Sequence, residues 1–364
     1  MNTLLANVRH SNFYIMKPFI DFSFIQNWYE ANKFSDEELK LLKTVSDFSL
    51  SVDAVSNDTF ENDIVKPLLQ LHPQGIITSD EYTVRFDTRA TDFIRMMSQY
   101  FDDDDTLFVT SNNEHINAQT LFKDIKNLHI IDADTVIHNF DTLSLIEKCK
   151  QYKRVFFYII GTEISRGKIV PNTWFKHIRN ELRGHNLIIC LDDVQGMFVI
   201  PRDYSLFDYI IGTAHSLIPS YDMGICIQRK GSHIFGKQLY HTAKEYLKIL
   251  PILLTRLNAL YSFTTVMQQA FSLYLAQPKG KLFYDSAPHI FSIVIGDENN
   301  TVRFTKREQA RIEQGRVVYI EGVRDDCDYQ YIRFRGQELL QVSLEEIKNK
   351  TDYLERVFDE RLSF

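Results

Sequence analysis

Residues 187–227 read LIICLDDVQGMFVIPRDYSLFDYIIGTAHSLIPSYDMGICI, and this stretch decides the fold. It holds two apolar, β-branched runs, 187–191 and 209–211, each followed at once by a compact polar cluster. Apolar runs without polar alternation are the pattern of parallel strands buried on both faces. Asp192, Asp193 and Gln195 follow the first run, and Thr213, His215 and Ser216 follow the second. In open α/β sheets ligands bind outside the carboxyl ends of the strands, so the two clusters are expected to face one site.

The flanking sequence repeats the rhythm. TLFVT (106–110) and VFFYII (155–160) read as further strands, and 173–182 reads as a helix between strands, which together give the βαβ alternation of a covered parallel sheet. FDTRATDFIRMMSQY (86–100) places Phe93, Ile94, Met96, Met97 and Tyr100 on one helical face beginning close to Thr91. A hydroxyl at a helix N-terminus is either an ordinary cap or part of an anion site, because the first amides lack acceptors within the helix. SNNEHIN (111–117) sets Glu114, His115 and Asn117 at the mouth of the strand before it.

At 364 residues the chain is long enough for one large domain and a smaller one. We expect an N-terminal segment over 1–75, a large domain over 76–275 and a small α+β domain over 276–364. Ser35 is placed to cap a helix over 35–45. The aromatic residues Phe13, Tyr14, Phe19, Phe22, Phe24, Trp28 and Tyr29 favour core or interface packing over a binding stripe. Helical patterns over 233–250 and 253–275 are separated by Pro251, which is expected to break them. HIFSIVIG, GRVVYIEGV and YQYIRFRG are short strands of the small domain, and a helix over 344–358 is opened by Ser343 with Glu346 as its capping partner.

A net charge of −7 without clustered Lys and Arg argues against a nucleic-acid partner. The run Asp102 to Asp105 reads as a solvated turn. Four cysteines, Cys149, Cys190, Cys226 and Cys327, show neither disulfide nor metal-ligand spacing. No apolar run reaches about 18 residues and no leader pattern opens the chain. These features predict a cytoplasmic protein with no membrane partner and no structural metal.

A helix-end hydroxyl, a histidine, an acid at the end of a buried strand and a Thr-x-His pair together suit a flat, charged ring with a phosphate tail. Hydroxyl and imidazole groups donate to phosphate oxygens, and a carboxylate such as Asp192 holds a protonated ring nitrogen.

These residues resemble the fold-type I pyridoxal-5′-phosphate enzymes, nearest to the class V aminotransferase, cysteine desulfurase and kynureninase branch. The resemblance covers 86–227 and, more loosely, the C-terminal domain. It implies an aspartate aminotransferase-like α/β fold, with a mostly parallel seven-stranded sheet covered by helices and a small α+β domain. FDTRATDFI resembles the phosphate turn, placing Thr91 on the phosphate. SNNEHIN resembles the segment whose histidine stacks on the pyridine ring, which falls on His115. LIICLDDVQG resembles the strand whose aspartate pairs with the ring nitrogen, Asp192, and whose residue three later meets the phenolic oxygen, Gln195. DYIIGTAHS resembles the strand ending in hydroxyl-x-His-Lys, so Thr213 and His215 fall on phosphate ligands.

Two features depart from that pattern. Asp87 and Arg89 occupy a turn where the family prefers small residues. More consequentially, Ser216 stands 24 residues after Asp192, where the family carries its Schiff-base lysine, and serine has no amine. Three readings follow. The protein binds pyridoxal 5′-phosphate or pyridoxamine 5′-phosphate non-covalently, as an atypical transferase or lyase acting on an amino acid or amino-bearing metabolite, with His215 or Ser216 handling protons. Alternatively it is a non-catalytic homologue serving as a binding or scaffold partner. In the third, another lysine (Lys168, Lys230 or Lys237) reaches the ring, or the pocket takes a different phosphate ligand or a metal at His115, His215 and Asp192. Arg333 resembles the arginine that takes a substrate carboxylate, with Arg335 two along on the same face. Cys327 reads as a bystander thiol. The resemblance also implies a homodimer.

Overall fold

Seven strands, joined where they run parallel by helical crossovers, are the centre of the computed structural model: β1 (Tyr82–Asp87), β2 (Thr106–Ser111), β3 (Leu128–Ile131), β4 (Arg154–Ile160), β5 (Asn186–Asp192), β6 (Tyr209–Thr213) and β7 (Gly224–Arg229). The residues described are 18–47, 49–72, 77–163, 167–218, 221–232, 236–276, 280–282, 287–297, 300–301, 304–313, 319–321 and 331–362. The sheet order is β1-β7-β6-β5-β4-β2-β3. Every pairing is parallel except those of β7, which runs antiparallel to both β1 and β6. The expected mostly parallel seven-stranded α/β sheet is therefore present.

The apolar runs behave as their composition requires. Phe156 and Tyr158 of β4, with Cys190 of β5 and Tyr209 of β6, face one side, against the helix Ala90–Tyr100 through Phe93, Ile94 and Met97. Phe157, Ile159, Ile189 and Leu191 face the other, packing with Trp174, Phe175 and Ile178 of the helix Asn172–Glu181. Period-two alternation sends successive residues to opposite faces, which is why both faces of these strands are apolar.

A second sheet contains β8 (Gly280–Leu282), β9 (Ile290–Asp297), β10 (Asn300–Thr301), β11 (Tyr319–Glu321) and β12 (Tyr331–Arg335), in the order β10-β9-β12-β11 with β8 on β9. The helix Leu344–Leu362 follows, opened by the expected reciprocal bonds between Ser343 and Glu346. Near the N-terminus, the helix Asp36–Ser46 has the same Ser35–Glu38 device. Phe19, Trp28 and Tyr29 are buried in the main core, and Trp28 Nε1 donates to the Ala259 carbonyl. Phe13 and Tyr14 lie outside the described residues.

Pro251 does not break the chain where expected. It sits inside the helix Tyr240–Leu254, and the next helix, Leu257–Ala270, begins after Thr255 and Arg256. Ile249, Leu250 and Leu253 are buried on either side of the proline, so packing holds the helix through its missing N–H. The break falls where the Arg256 guanidinium reaches the Asn32 and Lys33 carbonyls and Glu38. Among the described residues no single helix is long and apolar enough to cross a membrane. Cys149, Cys190 and Cys226 are buried free thiols, while Cys327 lies outside the described residues. The run Asp102 to Asp105 is a turn with exposed ion pairs to Lys126 and Lys153.

Candidate active site

β5 ends at Asp192, paired with Ile160 of β4 and Ile211 of β6 at the carboxyl edge of the sheet. Asp192 is 3% exposed. Its Oδ1 accepts the Val194 N–H at 3.1 Å and its Oδ2 accepts the Tyr158 hydroxyl proton. Burial pushes its pKa up, against the lowering effects of Tyr158, the Val194 amide and His115. Burial also holds the Tyr158 phenol far above its ordinary value, so the proton of that pair stays on the tyrosine and the carboxylate remains an acceptor.

The strand pleat turns the neighbouring acid the other way. Asp193 is fully buried, 3.6 Å from Arg202 and hydrogen-bonded by the Tyr204 hydroxyl at 2.9 Å. Burial raises its pKa to about 6 despite Arg202. Of the two adjacent aspartates, one lines a cavity and the other ties the sheet to the 194–204 segment.

That cavity, about 450 Å³, is where the distant segments meet: Thr91, His115, Asp192, Gln195, Thr213, His215 and Arg333 all line it. The side chain of Ser216 lies outside what the structure describes. Local chemistry explains each placement. The helix Ala90–Tyr100 opens at Arg89, not at Thr91, and no side chain caps it. The expected threonine cap fails because Thr88 gives its hydroxyl to Asp92 and Asp87 takes the Thr88 amide. Thr91 is left in the first turn, and an uncapped N-terminus faces the cavity, which suits an anion. Arg89 pairs with Asp222 at 2.9 Å on the cavity wall.

His115 is exposed and forms the N-cap of the helix Ile116–Phe122, with Nδ1 accepting the Asn117 N–H at 3.1 Å. That bond fixes the ring and leaves the proton on Nε2. The Thr213 hydroxyl donates to the Met223 carbonyl at 3.0 Å and accepts the His215 N–H at 3.2 Å, so it builds the turn that carries the half-buried His215. In this conformation Thr213 has its one proton committed, and donating to a phosphate requires that hydroxyl to rotate.

Gln195 is 8% exposed, and its Oε1 has no hydrogen-bond partner. Its backbone carbonyl accepts from His289 Nε2 at 2.8 Å, which anchors the residue from behind. An orphaned buried acceptor on the wall of a cavity is costly unless something occupies the cavity. Arg333 and Arg335 are 2% and 4% exposed, share a face of β12 and both line the cavity. Glu338 lies 3.2 Å from Arg335. Among the described residues that line the cavity, none is a lysine. Lys168 pairs with Asp134, Lys230 faces Glu61 at 3.7 Å and Lys237 faces Asp87 at 3.8 Å. Among the described residues no group of three His, Cys, Asp or Glu is arranged to hold a metal ion.

Sequence reasoning missed Tyr158, whose hydroxyl sits inside an otherwise apolar strand, and Asp222, which meets Arg89 only through the fold. A lone tyrosine in VFFYII gives no local sign that its hydroxyl ends beside an acid. As a set, the cavity offers an uncapped helix end, a buried carboxylate, an unsatisfied amide oxygen and two imidazoles. These fit a phosphorylated ring that carries a protonated nitrogen and a hydroxyl.

No protein-family model and no curated protein matches the sequence. Solved structures do match in fold. A NifS-like protein from Rickettsia africae superposes with a TM-score of 0.68 at 13% identity, over 91% of this chain and 98% of that one. The glutamate decarboxylase domain of a transaminase and decarboxylase from Vibrio parahaemolyticus gives 0.63 at 11%, over 90% and 79%. A structure of SPT with bound pyridoxal phosphate gives 0.59 at 10%, over 90% and 85%. The fold is that of the fold-type I pyridoxal-phosphate enzymes.

Proposed function

We propose that this protein binds pyridoxal 5′-phosphate or its pyridoxamine form without a covalent tether, as an atypical transferase or lyase acting on an amino acid or amino-bearing metabolite. One observation carries the proposal: a buried carboxylate, Asp192, lines the same cavity as an uncapped helix end and the unsatisfied Gln195 Oε1, and no lysine is among the described residues that line it. A chain with no ligand gains nothing by desolvating that acid. The class V resemblance, and Ser216 in the lysine's place, refine the reading.

When bound, the cofactor supplies an electron sink for a bond breaking beside the substrate nitrogen. The protein's own groups do the rest. Asp192 would accept a hydrogen bond from the protonated ring nitrogen, held in place for that by Tyr158 and the Val194 amide. The first turn of the helix Ala90–Tyr100, with Thr91, takes the phosphate. His115 packs against the ring and Gln195 Oε1 accepts the ring hydroxyl. Arg333 takes the substrate carboxylate bidentately. The His215 imidazole is the general base and acid, removing a proton from the substrate carbon and returning one. Ser216 has no amine, so the cofactor, when bound, would be held by Asp192, Gln195 and the first turn of the helix Ala90–Tyr100 and not by a covalent bond to residue 216. The proposal includes a homodimer.

The test is an absorbance titration with pyridoxal phosphate, followed by borohydride and peptide mass mapping. The expected result is saturable binding that leaves no reduced adduct on the chain. An adduct on a lysine overturns the untethered reading. Absence of binding overturns the enzyme reading and favours a non-catalytic binding or scaffold homologue.

A further inference from the structure

At the other end of β1 and β7, away from the cavity above, lies a second one of about 420 Å³. The antiparallel register sets Thr83 opposite Gln228 and Arg85 opposite Cys226, and alternation puts all four side chains on one face. Arg85, Gln228, Lys230 and Glu61 line the cavity. Arg85 is partly buried, its Nε–H has no acceptor, and no carboxylate among the described residues pairs with it. Gln228 is 3% exposed and its Oε1 has no donor. An unmet donor and an unmet acceptor thus share one wall, and each is costly while unmade. Folded chains keep such groups satisfied by protein, water or ligand, so a cavity between them is a candidate ligand site.

The lining specifies the ligand's chemistry. Arg85 and Lys230 against Glu61 leave an excess positive charge, which calls for an anion. The planar guanidinium fork matches a carboxylate or a phosphate, and the Glu61 charge on the same wall disfavours a dianion. Gln228 Oε1 needs a donor on the same molecule. Glu61, only loosely paired with Lys230 at 3.7 Å, favours a cationic donor. We propose that this cavity binds a free amino acid, with its carboxylate on Arg85 and its ammonium on Gln228 Oε1 beside Glu61. This site is separate from the Asp192 cavity and does not depend on cofactor binding there.

Isothermal titration of L-alanine, propionate and inorganic phosphate into the full chain tests this, with no pyridoxal phosphate present. L-alanine is expected to bind, and propionate and phosphate to bind more weakly. Arg85→Gln removes a charge-assisted bond and should weaken L-alanine binding by about 10- to 100-fold. Its ligand-free unfolding temperature should be unchanged or higher, because Arg85 loses no internal bond. Gln228→Met, close in shape, should weaken L-alanine binding without restoring propionate binding. The proposal is overturned if L-alanine gives no binding at millimolar concentration, or if either variant binds it as wild type does. It is equally overturned if phosphate or propionate binds as tightly, or if Arg85→Gln destabilises the ligand-free chain.

Discussion

Replacing Asp192 by asparagine separates its charge from its shape. The side chain is 3% exposed and holds two internal hydrogen bonds, from the Val194 amide and the Tyr158 hydroxyl. An asparagine placed with its oxygen toward Tyr158 keeps that bond but turns its amide nitrogen onto the Val194 N–H, so the fold should lose only the one bond, about 0.5–1.5 kcal/mol. Toward the cofactor it loses the ion-assisted bond to a protonated ring nitrogen, about 1.5–3 kcal/mol, or about 10- to 100-fold in cofactor Kd. Asp192→Ala should do more: it leaves the buried Tyr158 hydroxyl without its acceptor, at about 1–3 kcal/mol of fold stability, and should abolish cofactor binding. Absorbance titration with pyridoxal phosphate gives the Kd, and denaturant unfolding gives the stability. An Asp192→Asn protein with wild-type Kd would refute the assignment. A large stability loss in that variant would instead show the carboxylate to be a structural acid.

Gly224 closes against the phosphate turn, where an added Cβ would stand 2.4 Å from the Arg89 carbonyl carbon and 2.6 Å from the Ala90 nitrogen. Gly224→Ala should therefore push the helix start outward and weaken binding of pyridoxal phosphate more than that of unphosphorylated pyridoxal; equal losses in competition titrations would contradict this. Arg202→Met strands the buried Asp193 charge and should lower unfolding free energy by about 3–5 kcal/mol, with a wild-type denaturation curve as the contrary result. Burial lowers His72 and His289 to about 4, against about 6.5 when unfolded. Their contribution is complete above that unfolded value and is lost as pH falls toward 4, up to about 3 kcal/mol each. Asp193, raised to about 6, acts in the opposite sense: its contribution is present below its unfolded pKa and lost as pH rises through 6. His72→Leu should flatten the acid limb measured by unfolding at stepped pH, and an unchanged slope would refute the assignment.

The parts of this architecture written locally were legible in the sequence. The cap at Ser35 and the capping box of Ser343 with Glu346 were readable because a cap and its partners lie within three residues of each other. β4, β5 and β6 were readable because strands covered on both faces must be apolar throughout. The choice of Asp192 over Asp193 came from resemblance, and the pleat that separates them supplies the physical reason. What stayed hidden depends on contacts distant in sequence. β3 is a short edge strand whose Ile130 is exposed, so LHII carries no burial signal. The helix at Pro251 persists because its neighbours are buried, and its end is set by Arg256 reaching residues more than 200 positions away. Thr91 lost its expected cap position to the mutual bonds of Asp87, Thr88 and Asp92, which only the turn geometry reveals.

The most direct measurement is a crystal structure of the full chain grown with pyridoxamine 5′-phosphate. The ring nitrogen is expected within hydrogen-bond distance of Asp192, the phosphate at the start of the helix Ala90–Tyr100, and Gln195 Oε1 on the ring hydroxyl. A ring bound elsewhere, or seated with its nitrogen away from Asp192, would contradict it.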